Sequence, residues 1–406
     1  MDRHWTFHLP QELLCRIFYL SLSESPFTLL RHDQIGNPVL SLNLQKMITP
    51  FTLGAVCRYW RHVVWKEPNL WNSVYLVASP CKAAIQATLL EQWLSRTGQL
   101  PLSIDVDCSD VVHKRWSSRH ERESMDLLEP IFKRSMRFTS FRTRLPPQCL
   151  LLPAKDDRIP DPRFENLTTL EVVPLVVTEG MEDDDEDLDI ALFQHSQRLR
   201  RLFIREISVE QIDIPWPSLS LATIITQNLT LDDCLALARN APNVEVCQFE
   251  NIGYPEMSKL DNFPVLHLSR LHTLFLDFSP ISLRYEIFFR HITAPNLKTL
   301  YFVSEEGRQF PVDEFRQLLQ RSGCTLAHLE ITDSYMTAPE VQHCLDPSAQ
   351  SLEFVRINIR TLDGDEVTLS HQPILTKFFP KMKSAMFSAP ASIMNALFSP
   401  PTQPHQ

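Results

Sequence analysis

Hydrophobic positions along this chain keep two different rhythms. In LPQELLCRIFYL (residues 9–20), Leu13, Leu14, Ile17 and Phe18 recur at helical spacing and predict a short amphipathic helix. Pro10 suits its first turn, where a missing N–H costs nothing, and Glu12 favours the positive end of the helix dipole. The stretch 21–48 breaks the pattern. TPFTLGAVCRYWRHVVWKEPNLW (49–71) resumes it, with Thr49 as N-cap, Pro50 next, and Leu53, Val56, Cys57, Trp60 and Val64 as an apolar stripe. Pro68 ends or bends that run, and Leu70 and Trp71 close it.

From Leu167 onward the rhythm is L-x-x-L-x-L. It starts at Leu167, Leu199, Leu219, Val244, Leu271, Leu297, Leu326 and Leu352, at spacings mostly typical of leucine-rich repeats. The longest gap holds the acidic run 179–189, which reads as a loop insertion. Between the strand signatures, LDDCLALARNAPNV and PVDEFRQLLQRSGCTL read as helices with an acidic start, an apolar stripe and an Asn-Ala-Pro or Ser-Gly stop. A single such unit cannot bury both faces of its strand, but stacked units can. LWNSVYLV, LPLSIDVDC and RFTSFRT extend the strand-like pattern upstream, with AIQATLLEQWLSRTG and ESMDLLEPIFKRS as their helices. The asparagine ladder of regular repeats is missing, so the array reads as degenerate.

The predicted fold class is α/β: a small helical domain, then a leucine-rich-repeat-like α/β solenoid, right-handed and curved. The predicted organisation is a helical domain over 1–77 with an insertion at 21–48, early irregular repeats over 78–160, the solenoid over 161–375, and a C-terminal cap and disordered tail over 376–406.

Composition narrows the function. Only eight glycines among 406 residues leave few places for backbone to wrap a phosphate, and no Gly-rich nucleotide or nucleophile-elbow motif is present. The net charge is −10, and the eight acidic residues of 179–189 account for most of it. No Lys/Arg stripe points to nucleic acid. Nine scattered cysteines lack any Cys-x-x-Cys pair and read as buried free thiols in a reducing compartment, cytoplasmic and/or nuclear. No apolar signal core or membrane-spanning run appears. His120 and Glu121 begin a zincin-like pattern that lacks its second histidine. No catalytic residue, metal ligand or cofactor site is predicted.

Leu9-Pro10-x-Glu12-Leu13-Leu14-x-x-Ile17-Phe18, then Leu53-x-x-Val56-Cys57-Arg58-x-Trp60, then Pro68-x-Leu70-Trp71, resembles the F-box in the order of its elements, with a long insertion between the first two as the departure. The long first connection and EQWLSRTGQLPLSIDVD resemble the expanded F-box families of mushroom-forming fungi. The resemblance implies docking on the Skp adaptor of SCF ubiquitin ligases and, through it, association with a cullin and a RING protein. By position it assigns that docking to Leu9, Pro10, Leu13, Ile17, Val56, Cys57, Trp60, Leu70 and Trp71. Trp65 falls outside the motif and reads as packing. The physical reading agrees: a small helical unit with spare apolar surface is expected to cover that surface with a partner.

Side chains alternate along a strand, so the x positions of each repeat face away from the leucines. Those positions include Glu171, Gln248, Glu250, Asp277, His328, Glu330 and Asn358. Among them Arg201, Phe203, Arg205, Phe275, Tyr301, Phe354 and Arg356 are the candidates for binding a target protein, because aromatics stand where a solvated face would carry polar residues. The arginines suggest a phosphorylated target. The expected function is a non-catalytic substrate receptor of a ubiquitin ligase. The alternative is a repeat-based interaction scaffold without that role.

Overall fold

The computed structural model describes residues 9–22, 48–79, 82–108, 118–155, 162–175, 190–216, 221–254, 263–279, 284–359, 367–369 and 381–389. Most of the 21–48 insertion, the acidic run 179–189, Cys81 and the tail beyond 389 lie outside the described residues. The fold is mixed α/β, with parallel sheet in each of two compact units, 1–199 with 211–215 and 200–210 with 216–406.

The first unit opens with α1 (Gln11–Ser21), which begins directly after Pro10. α2 (Pro50–Val56) starts as its sequence predicts. Thr49 and Thr52 form a reciprocal capping box, and Pro50 occupies the first helical position. The run to Pro68 is not one helix. The backbone turns extended at Cys57, and α3 (Arg58–Lys66) restarts there, with the Cys57 sulfur accepting the Trp60 N–H at 3.4 Å. The predicted stripe is therefore split: Leu53 and Val64 are buried, whereas Val56 is exposed.

A short 3-10 turn (Pro68–Leu70) leads into β1 (Ser73–Val77). Then follow α4 (Ala83–Arg96), β2 (Leu102–Asp107), α5 (Ser118–Phe132), β3 (Phe138–Leu145), α6 (Pro147–Lys155) and β4 (Thr169–Pro174). β1 to β4 pair in sequence order and all in parallel, so each connection is a helical crossover.

The core under the first helices is Leu14, Phe18, Leu53, Val63, Val64, Leu70 and Trp71, flanked by Trp60, Trp65 and Trp93. Phe51, Trp65, Trp71 and Trp93 meet edge to face with ring centroids 5.2–6.1 Å apart, a favoured aromatic geometry. The Trp71 indole donates to the Val64 carbonyl at 2.8 Å, so its polar edge is satisfied in the core.

The second unit holds β5 (Arg201–Arg205), β6 (Thr223–Gln227), α7 (Leu231–Asn240), β7 (Val246–Ile252), β8 (Leu266–His267), β9 (Thr273–Phe278) and β10 (Ile292–Thr293). It continues with β11 (Thr299–Gln309), β12 (His328–Tyr335), β13 (Phe354–Ile359), β14 (Val367–Leu369) and β15 (Ser384–Ala389). Helices Glu286–Arg290, Val312–Ser322 and Ala338–Leu345 lie between these strands. β5, β6, β7, β9, β11, β12, β13 and β15 are neighbours in that order and parallel. β14 adds an antiparallel strand to β15, and β8 with β10 makes a separate parallel pair. The helix stops follow their chemistry. Gly323 ends Val312–Ser322 in the left-handed region at φ 61°, and Thr337 with Glu340 forms a capping box.

The register fixes the repeat. Arg201 aligns with Thr223, Val246, Thr273, Thr299, His328, Phe354 and Ser384. Two residues before each stand Leu199, Leu221, Val244, Leu271, Leu297, Leu326, Leu352 and Met382, all buried. The unit read as starting at Leu219 thus starts at Leu221, and Leu219 itself lies outside the described residues. The offset arose because LSL offers two leucines and the third core position is a threonine, Thr226, which is completely buried. β15 lies within the segment expected to be cap and tail, with Met382 and Ala385 standing where earlier units have leucines.

Asparagines also tie neighbouring units. Asn166 and Asn296, each directly before a core leucine, donate to the Met136 and Ser269 carbonyls of the preceding unit at 2.7 Å. At the ends of three successive strands, Glu206, Asn228 and Asn251 share left-handed backbone and join side chain to side chain, each step 2.6 Å.

Candidate functional site

Two surfaces collect the residues singled out in the sequence. On the helical surface, α1 divides its apolar residues between faces. Leu14 and Phe18 are 1% exposed, whereas Leu13 is 54% and Ile17 45% exposed. Val56, at the end of α2, is 61% exposed, and Leu20 and Phe51 are exposed beside this set in type. Pro10 is exposed, and Leu9, Cys57 and Trp60 are half-buried. Leu70 and Trp71 lie inside the core and offer no surface. The Trp60 ring packs on Phe18 at 4.7 Å, and its buried indole N–H has no acceptor among the described residues.

The second surface is the sheet face of the second unit opposite the helices. The helix-packed face holds Phe249 against Phe288 and Phe302 against Phe289. On the opposite face one row runs Phe203, Ile225, Gln248, Phe275, Tyr301, Glu330, Arg356 and Met386 across eight strands. Phe275, Tyr301 and Phe354 are brought together through a residue that sequence reasoning placed on this face but did not single out. His328 lies 4.8 Å from the Tyr301 ring and stacks on Phe354 at 4.2 Å, while Tyr301 meets Phe275 at 5.8 Å. The result is a continuous aromatic strip over β9, β11, β12 and β13. Phe275 is buried at its base, and Tyr301, His328 and Phe354 are half-buried.

Carboxylates border the strip. Glu330 is buried; it receives Arg356 at 3.1 Å and faces His328 Nε2 at 3.9 Å. Burial first, and Glu330 second, push the Tyr301 phenol up. Glu250 accepts from the Gln248 amide, and burial pushes its carboxyl up. Arg201, Phe203 and Arg205 stand apart on β5, separated from β9 by β6 and β7. Arg205 pairs with Glu206 at 3.2 Å, and Arg201 is exposed.

The equivalent row of the first unit is charged: Tyr75, Asp105, Arg142 and Glu171 are register partners. Arg142 sits between two buried carboxylates, 3.7 Å from Asp105 and 3.7 Å from Glu171. Burial, with Glu171 adding to it against Arg142, pushes Asp105 up to about 7. Of these residues only Glu171 was placed on this face in the sequence. The strand at 102–107 was recognised, but its alternation is masked because Asp105 and Asp107 are as buried as Ile104 and Val106.

Among the described residues no group of three His, Cys, Asp or Glu could hold a metal ion, and no helix is long and apolar enough to cross a membrane. The eight described cysteines are free. Burial pushes the thiols of Cys108, Cys234, Cys247 and Cys344 up, to about 12 for Cys108, which keeps them protonated and poor nucleophiles. Neither a family model nor a curated protein matches the sequence.

Proposed function

We propose that the chain is the substrate receptor of an SCF-type ubiquitin ligase. Its first helices act as an F-box that docks on the Skp adaptor, and its repeats, stacked as a solenoid, hold a target protein. Leu13 and Ile17 of α1 with Val56 of α2 form the docking surface, and Leu14, Phe18, Leu70 and Trp71 form the core that holds it in shape. The observation that carries the reading is the division of α1. Its inward residues are sealed, yet Leu13, Ile17 and, at the end of α2, the apolar Val56 remain about half exposed or more. Side chains of this kind, left in water on a small helical unit, act as anchors when a partner covers them. The chain contributes no catalytic group. It raises the effective concentration of a target lysine near the conjugating enzyme, and proximity does the rest. Transfer onto the target then falls to the cullin, the RING protein and the conjugating enzyme.

The test is co-expression with the Skp adaptor and size-exclusion chromatography with light scattering. A one-to-one complex is expected. Leu13→Ser with Val56→Ser should abolish it while changing stability by no more than about 1 kcal/mol, since both side chains are already exposed. A well-folded chain that ignores the adaptor overturns the ligase reading and leaves a repeat-based interaction scaffold.

A further inference from the structure

Four features of the second unit's sheet face opposite the described helices bear on what it binds. The strip Phe275–Tyr301–His328–Phe354 is a preformed aromatic floor with centroid steps of 5.8, 4.8 and 4.2 Å. Among the described residues of the aligned rows, the face positions of β7, β9, β11 and β12 carry the carboxylates Glu250, Asp277 and Glu330 and no lysine or arginine, and β13 adds Arg356. The nearest arginine in the same row, Arg356, is tied to Glu330 at 3.1 Å. Arg205, at the far side of the face, is tied to Glu206 at 3.2 Å. Two of the three arginines that could have read a phosphate are therefore already engaged by carboxylates. A phosphate brought to the strip would have to displace Glu330 from Arg356.

The complementary ligand has the opposite sign. A cation placed over an aromatic face is attracted by the ring quadrupole, and more strongly when partly desolvated. Carboxylates beside the rings add Coulomb attraction in an environment of reduced dielectric. We propose that the strip over β9 to β13 receives a lysine or arginine side chain from an extended basic segment of the partner protein. Tyr301 and His328 form the floor, and Glu330, which faces both, supplies the carboxylate. This rests on the reading of the face as the target-binding surface, and it names the chemistry of the target.

The experiment is fluorescence anisotropy with the full chain at about 150 mM salt. One fluorescein-labelled probe alternates arginine and serine, and the other alternates glutamate and serine. The basic probe is expected to bind and the acidic one not. Tyr301→Ala and Glu330→Gln should each weaken binding of the basic probe about threefold to thirtyfold, and Arg239→Ala, an exposed residue of α7, should leave it unchanged. Tyr301→Leu keeps most of the volume and serves if the alanine variant fails to fold. Tighter binding of the acidic probe, no binding of the basic one, or binding indifferent to both substitutions overturns the proposal. Adaptor binding through α1 and α2 is measured separately. A chain that binds the adaptor but not the basic probe overturns this inference alone. One that binds the probe but not the adaptor overturns the ligase reading and supports the basic-segment site.

Discussion

The indole N–H of Trp93 donates to the backbone carbonyl of Trp71 at 2.6 Å, joining α4 to the turn that closes the first helices. The same two rings meet edge to face at 5.2 Å. The helical surface and the start of the sheet thus share one core. Trp93→Phe keeps a ring in place but leaves that carbonyl without its donor. It should destabilise by about 1–3 kcal/mol. Trp71→Ala empties a fully buried site and should cost about 3–5 kcal/mol. Urea titration followed by circular dichroism would show both as shifts of one transition. Separate transitions for the helices and the sheet would contradict the shared core.

Gly54 tests the same core from the other side. A Cβ built there would run into the Trp65 ring, which is itself held against Phe51 and Trp71. In an open helix, Gly→Ala stabilises by up to about 1 kcal/mol. Here the sign should reverse. Gly54→Ala is expected to destabilise by about 1–3 kcal/mol through overpacking, and a raised melting temperature would refute the close approach.

The residues explain which parts of this architecture are legible in the sequence. The helix starts are plain because Thr49-Pro50 and Thr337-Ala338-Pro339-Glu340 cap by local chemistry alone. The L-x-x-L-x-L strands are plain because their leucines are bulky and regularly spaced. The pattern fails where a core position is filled by another kind of residue: Thr226 hid the register of β6, and Ala385 with Met382 hid β15. The break at Cys57 has no proline or glycine to mark it. The aromatic strip was half visible. Phe275, Tyr301 and Phe354 stand out by type, but His328 becomes part of the strip only once β11, β12 and β13 lie side by side. The asparagine before the core leucine, in ENLTTL and PNLKTL, was a signal available in the sequence, and its cross-unit hydrogen bond explains it.

Asp105 should make stability depend on pH in an unusual direction. Its carboxyl is pushed from the ordinary 3.8 up to about 7 by burial, with Glu171 adding and Arg142 opposing. Tyr75, Asp107 and Arg144 are the other titratable or charged groups on the adjoining positions of β1 to β3. A raised carboxyl pKa means the folded state holds a proton that the unfolded state has released. Stability from this group is therefore present below about pH 4, falls as pH rises through 7, and is flat above it. Asp105→Asn removes the titration. The wild-type minus variant difference in unfolding free energy should fall between pH 4 and 7, by no more than about 4 kcal/mol. A flat difference curve would show that Asp105 ionises normally in the fold.

The Glu206–Asn228–Asn251 ladder separates backbone strain from hydrogen bonding at one position. Asn228 has φ 58°, donates to Glu206 at 2.6 Å and accepts from Asn251 at 2.6 Å. Asparagine tolerates this left-handed conformation better than most residues, glycine adopts it freely, and alanine is strained there by about 1 kcal/mol. Asn228→Gly keeps the conformation but loses both bonds, which are partly exposed, and should cost about 1 kcal/mol. Asn228→Ala loses the bonds and adds the strain, so it should cost about 2 kcal/mol. The gap between the two variants measures the strain, and the cost of the glycine variant measures the ladder. Neither change should touch binding of the basic probe, because the substituted side chain lies beyond β6 and away from the strip over β9 to β13. Equal stability of the two variants would mean that φ at residue 228 relaxes in solution, and the ladder would then be a consequence of strand packing instead of a contributor to it.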